Sequence, residues 1–401
     1  MSRTFEPIHP SISEIKSYKE KASFCDAYRF LDIKVLIKSD SHELQEYFKQ
    51  TYRHFLVDTL WDGDEAHSFH VLTDGARPRG PLLLKDEDRV FTLLAGKALP
   101  DSADALIFGS VLSRIESHFM IHGAAVSSHG RGLVLSGLSG SGKSTLALEL
   151  TRRGFMFCSD EIAAFSRATH RIHPFPRAIG TRENSLKLLE NIDFNPGKLR
   201  HTVGGDKKWS VDIEDIFDDS LSGECEGKYL LLLDTAPESG GKATKDYHIV
   251  DIALKAADRN LIKRLDEIDG IDYLSTRFDD KYHTATVKVR KEKSVQVRFL
   301  ETCEDFDDLI LYKFKTMEKP PGPQQEPRLS PISRMDAALE LLGNVQNLSV
   351  SNGWTLETSS VNISQILLEL VDVIGGMECY RLLVGNLKKT SDLIFDQLIH
   401  A

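Results

Sequence analysis

The sequence predicts an α/β protein, and three observations lead there. Gly132–Leu150 reads GLVLSGLSGSGKSTLALEL: a short apolar strand, a glycine-rich loop and an amphipathic helix in direct succession. Apolar runs at period two alternate with runs at helical spacing along most of the chain. A proline-rich stretch, KPPGPQQEPRLSP at Lys319–Pro331, then precedes three helical patterns. The expected organisation is an N-terminal α/β segment over 1–100, a loop-bearing core over 101–318, a linker or mobile loop over 319–331 and a mainly helical part over 332–401.

In chain order, a short helix is expected around Glu14–Lys21. Leu31, Ile33, Val35 and Ile37 share one face of a strand over Arg29–Lys38. Asp40 with Glu43 marks a helix start, and Leu44, Tyr47, Phe48, Thr51 and Phe55 form its apolar stripe. A strand at Ser68–Thr73 and a hairpin over Leu82–Leu94 follow. His42, His54, His67 and His70 stand in no metal-ligand spacing with a second ligand and read as surface or structural histidines. Next come a helix over Asp104–His118, a strand over Met120–Val126, the Leu133–Leu135 strand before the loop, and a strand over Phe155–Cys158 that runs into Asp160 and Glu161. Pro174-Phe175-Pro176-Arg177 must be extended, because proline fixes its own φ and keeps its predecessor out of the helical region. Further on, a strand at Lys228–Leu233, a helix at Ala253–Leu265 and a hairpin of Thr284–Arg290 with Ser294–Leu300 are expected. Helices at Arg334–Leu342, Asn362–Ile374 and Thr390–Ile399, with a strand at Tyr380–Val384, complete the chain.

Composition narrows the function. With 41% hydrophobic and 27% charged residues the chain is of ordinary globular type, and its net charge of −10 argues against a general nucleic-acid surface. Five scattered cysteines form no C-x-x-C pair, so neither a zinc site nor a disulfide framework is indicated. The polar N-terminus and the lack of an apolar run near ~20 residues lead us to expect a cytoplasmic protein.

The chemistry centres on Gly137, Leu138, Ser139, Gly140, Ser141, Gly142, Lys143, Ser144 and Thr145, which fill every fixed position of G-x-x-x-x-G-K-[ST]. Backbone N–H groups of such a loop turn inward around phosphate, and the helix that follows adds the positive end of its dipole. Lys143 would reach the β- and γ-phosphates of ATP, and Ser144 would hold Mg2+. An ATP-binding-cassette reading of Leu221-Ser222-Gly223 and the strand ending at Asp234 fails. Too few residues separate the two pieces, and the position for a catalytic Glu holds Thr235.

A second group of residues points elsewhere. His122-Gly123 lies before the loop, and Gly154-Phe155 and Ser159-Asp160-Glu161 follow it; with the loop itself these resemble the HPr kinase/phosphorylase family and the related HPr-kinase-like serine kinases, whose core is similar to PEP carboxykinase. The resemblance is good over Ile121–Glu183 and loose elsewhere. It implies ATP and Mg2+ as cofactors, a serine on a protein or peptide as acceptor, and an assembly with shared active sites. Asp160 and Glu161 would divide proton transfer and metal duty, with Glu161 departing from the family's Asp-Asp, so which is the base stays open. His122 would lie by the site or be a hydrogen-bonded strand-end histidine, and Arg177 would stabilise transferred charge or pair the acidic cluster. Glu183 falls near a further Mg2+-binding position. The family's phosphorolysis loop has only a faint counterpart in Pro331-Ile332-Ser333-Arg334, so reverse activity is not expected. Lys207, Lys208 and Trp209 read as an exposed loop or a mobile gate. A small-molecule kinase on the same core and a non-catalytic, ATP-responsive switch are the alternatives.

Overall fold

The computed structural model describes residues 10–58, 66–76, 79–86, 89–93, 96, 99–137, 140–182, 200–203, 207–234, 247–254, 259–278, 283–290, 292–306, 310–316, 326–347 and 363–399. Helix α1 (Ile12–Lys21) opens on a capping box between Ser11 and Glu14. The single strand expected over Arg29–Lys38 is instead the junction of two, β1 (Phe24–Phe30) and β2 (Ile33–Ser39). They pair antiparallel around Leu31, whose φ of +55° turns the chain. A leucine in that conformation is not legible from a period-two pattern. Helix α2 (His42–Thr51) is capped by Ser41, whose hydroxyl accepts from the Leu44 N–H. Asp40, expected to start the helix, accepts from the Thr73 N–H instead. Strands β3 (Leu56–Val57), β4 (His67–Ala76), β5 (Arg79–Lys85) and β6 (Arg89–Thr92) complete a six-stranded sheet, ordered β3-β1-β2-β4-β5-β6.

Helix α3 runs over Leu99–Leu112 rather than Asp104–His118. It starts early because Leu99 and Ala103 extend its buried face. It stops early because the Ser113 and Arg114 side chains take the Ser110 carbonyl. One hydrophobic cluster then joins the N-terminal sheet, α2 and α3 to Met120, Ile162, Ala164 and Phe175, so the segment before residue 100 packs directly on the loop-bearing core.

The central sheet is built from β7 (His118–Ser128), β8 (Arg131–Ser136), β9 (Met156–Ser159), β10 (Ile162–Ser166), β11 (Arg171–His173), β15 (Cys225–Asp234), β20 (Arg328–Pro331) and β21 (Glu378–Leu383), with α4 (Lys143–Arg152) following β8. Its order is β11-β10-β7-β8-β15-β21-β20, with β9 beside β7 and β11 also pairing β15. Strands β12 (Ile179–Arg182), β13 (Arg200–Val203) and β14 (Lys207–Val211) form a small separate sheet, and Lys207, Lys208 and Trp209 lie on β14.

The next segment departs furthest from expectation. Strands β16 (Tyr247–Leu254), β17 (Ile271–Phe278), β18 (His283–Arg290) and β19 (Ile310–Thr316) make a four-stranded sheet, ordered β17-β18-β16-β19 and packed by α5 (Arg259–Asp266) and α6 (Lys293–Glu304). Ala253 and Leu254 therefore end a strand rather than start a helix, because Val250, Ile252 and Leu254 bury at period two. Ser294–Leu300 is helical rather than a hairpin strand: Val295, Phe299 and Cys303 are buried one turn apart while Val297 is exposed.

The stretch read as a linker is partly sheet. Of Lys319–Pro331, residues 319–325 lie outside the described residues, while Arg328–Pro331 is an edge strand antiparallel to β21. An edge is where a strand tolerates proline. β21 lies parallel to β15 over Tyr229–Asp234, so the C-terminal part supplies two strands of the central sheet as well as helices α7 (Arg334–Leu342), α8 (Ile363–Val373) and α9 (Leu387–Ile394). Ser333 and Arg334 serve that framework: the Ser333 hydroxyl caps α7, and Arg334 donates to the Met377 carbonyl. No helix among the described residues is long and apolar enough to cross a membrane.

Candidate active site

The acidic pair is placed by a tight turn. Strand β9 pairs with Ala125–Ser127 of β7, and β10 pairs with His118–His122 of the same strand, so Asp160 and Glu161 turn opposite Gly123-Ala124, next to His122. The Gly123 N–H closes the gap by donating to the Glu161 carbonyl at 3.0 Å. The Ser159 hydroxyl braces the turn through the Ile162 carbonyl. Glycine is required at 123, since a Cβ there would meet the Leu135 carbonyl oxygen at 2.7 Å.

The phosphate-loop sequence forms the junction of β8 with α4. Gly142, at φ +93°, is the residue before the helix and sets the sharp entry; Gly137 passes so close to β15 that a Cβ would stand 2.8 Å from the Leu233 carbonyl oxygen. Lys143 is buried and donates to the Gly137 carbonyl at 2.8 Å, folding back over its own loop. Ser141 is 2% exposed and its hydroxyl has no partner among the described residues. A buried, unsatisfied donor inside a glycine loop at a helix N-terminus suits an oxyanion, so the residues present fit a phosphate chain. Leu138, Ser139 and Glu183 lie outside the described residues.

The loop and the turn meet. The Ser144 hydroxyl bonds to Asp160, while Lys143 and Asp160 interact through their charges. The His122 ring bonds to the Glu161 backbone and feels the Lys143 charge. Burial pushes the Asp160 carboxyl up to about 7, Glu161 adding to the rise and Arg177 and Ser144 opposing it. Burial pushes the Lys143 ammonium down to about 8, against the pull of Asp160. Burial, reinforced by Lys143, lowers His122, which is therefore neutral at pH 7. A carboxylate and an amine both poised near neutrality are what proton transfer beside a polyanion needs.

Arg177 reaches this point along the extended segment after β11. The Phe175 N–H donates to the Cys158 carbonyl at 2.9 Å and the Ala178 N–H to the Thr51 carbonyl at 3.1 Å, tethering the segment at both ends. Phe175 packs into Phe30, Phe55 and Phe108. Arg177 donates two 2.8 Å bonds to Asp104 and one 2.7 Å bond to Glu161, and its guanidinium lies 3.7 Å from the Phe108 ring centroid. Burial opposes its charge, but the Asp104 and Glu161 carboxylates outweigh that and raise its pKa. Of the two roles open from sequence, pairing the acidic cluster is the one present here. Asp104 and Tyr52, which donates to Asp104, were not singled out from sequence; no motif carries them, and Asp104 lies 73 positions from Arg177.

Compared with known families, residues 113–186 match the family model described as the HPr Serine kinase C-terminal domain. The likeness to that family is confined to this segment of the chain. The match holds His122, the glycine loop Gly137–Ser144, Asp160, Glu161 and Arg177, and leaves out Tyr52 and Asp104. The matched segment thus holds the residues that converge on the loop, while Asp104, which lies before it, anchors Arg177. A search of curated proteins finds no match to the chain. Asp234 ends β15 beside the loop strand, with Arg381 at 3.9 Å.

Proposed function

We propose that this protein is an ATP- and Mg2+-dependent kinase that transfers the γ-phosphoryl group to a hydroxyl, the acceptor being a serine of a protein or peptide partner. The observation that carries the reading is the convergence of Lys143, Ser144 and Asp160 at the mouth of a glycine loop, within the segment matched to the HPr serine kinase domain. The loop N–H groups and the α4 N-terminus bind the phosphates, and Lys143 exchanges its bond to the Gly137 carbonyl for phosphate oxygens. Ser144 and the acidic pair are the groups that would hold Mg2+, whose contribution is to neutralise charge on the β- and γ-oxygens. Asp160, with its carboxyl near 7, accepts the proton of the attacking hydroxyl. The new bond joins that oxygen to the γ-phosphorus, the bond to the β-phosphate oxygen breaks, and ADP leaves. Glu161, held by Arg177, fixes the turn that aims Asp160. A cytoplasmic setting accords with this use of ATP.

The test is incubation with Mg-ATP labelled at the γ-phosphate and protein extract from the source cells, beside an extract stripped of protein. Label on protein serine in the first supports the reading. Label on small molecules in the second would move the acceptor to a metabolite. Tight ATP binding with neither would make the loop a switch.

A further inference from the structure

Sequence spacing gave His54 no metal-ligand partner, because its partners lie far along the chain. The turn after α2, Arg53–Phe55, meets the turn after β14, Ile213–Asp215, and brings His54 Nε2 to 2.8 Å from Asp212 Oδ2 across 158 positions. Glu214 completes the group: the ligating atoms of His54, Asp212 and Glu214 all lie within 4.8 Å of one another. We propose that these three side chains form a site for a divalent first-row transition-metal ion, separate from the nucleotide site.

Four features carry this. One imidazole with two carboxylates is the mixed nitrogen and oxygen donor set that such ions take. The 2.8 Å separation of Nε2 from Oδ2 is close to the edge between neighbouring ligands around an ion bound at ~2.1 Å from each in five- or six-fold coordination. The site is oriented from behind, because Asp212 Oδ1 accepts the Glu214 N–H at 3.0 Å and is thereby fixed as the cap of its turn. Two carboxylates also converge where the Arg53 guanidinium stands 3.8 Å from Asp212 and is shared with Asp215 at 3.5 Å, so a dication offsets a local excess of negative charge. His54 further lines a cavity of about 340 Å³ with Arg29, Leu31, Phe55, Pro174 and Pro176. An ion held here ties the turn between α2 and β3 to the turn that follows β14.

The experiment is calorimetric titration of the full-length, nucleotide-free protein with Zn2+, in an Asp160→Asn background that weakens metal uptake at the candidate active site. One Zn2+ per chain is expected to bind, with a rise in Tm. Glu214→Gln keeps the His54–Asp212 contact and the backbone cap, so it retains the fold; it is expected to weaken Zn2+ by more than ~10-fold, as is His54→Gln. Co2+ bound in place of Zn2+ should show visible bands that both substitutions abolish. No Zn2+ uptake by the parent, or uptake unchanged by both substitutions, would overturn the site.

Discussion

At the residue scale the account rests on two displaced ionisations. Asp160, raised to about 7, binds more proton in the folded state than in the unfolded one between its ordinary carboxylate range and neutrality. Its effect on stability therefore worsens as pH rises through that window and is complete above it. In metal-free buffer Asp160→Asn should thus stabilise the protein at pH 8, by on the order of 1–2 kcal/mol once partial exposure is allowed for, and the gain should vanish near pH 4; thermal unfolding at both pH values checks it. Lys143 works in the other direction. Lowered to about 8, it loses its proton earlier than an exposed lysine, so ATP affinity should fall as pH rises through about 8. A fluorescent-nucleotide titration from pH 7 to 9.5 would show this, and an affinity flat across that range would count against the role of Lys143. The sequence showed both residues because their motif is local. It could not show that Arg177 grips Asp104, since that pairing exists only once α3 packs behind the acidic turn.

At the element scale, the extended segment 174–178 and helix α3 are joined by one buried ion pair, with Arg177 8% exposed. Asp104→Ala leaves that guanidinium with Glu161 alone and should cost roughly 3 kcal/mol by urea denaturation. Removing Glu340 from its exposed pair with Arg381 should cost under ~1 kcal/mol. Equal losses would mean that the Arg177 cluster is no anchor. Elements with strong periodicity were legible, among them α2, β7, β8 and α7. Misread elements failed for identifiable reasons: Leu31 turns the chain inside an alternating run, and Val295 and Val297 mimic a strand within a helix whose buried face is Val295, Phe299 and Cys303. Strand β20 was hidden by prolines that an edge position tolerates.

At the scale of the whole molecule, the chain order and the sheet order differ. Strand β21, near the C-terminus, is the neighbour of β15, while strands β16–β19 form a sheet whose hydrophobic cluster, among the described residues, draws on residues between Val250 and Phe306. Excising 247–316 with a short bridging linker should leave ATP binding within a few-fold. Truncation before Glu326 should abolish soluble expression, because it bares β15 and opens the two clusters that β21 and its helices help to close. Loss of binding in the first or full binding in the second would refute this division. The claim that the whole arrangement serves phosphoryl transfer is tested most directly by one comparison. Wild-type protein and Asp160→Asn are each incubated with γ-labelled Mg-ATP and source-cell extract, and modified sites are mapped by mass spectrometry. The account predicts phosphoserine on a protein with wild type and at least ~10²-fold less with Asp160→Asn, which still binds ATP; equal transfer by both, or none by wild type, would contradict it.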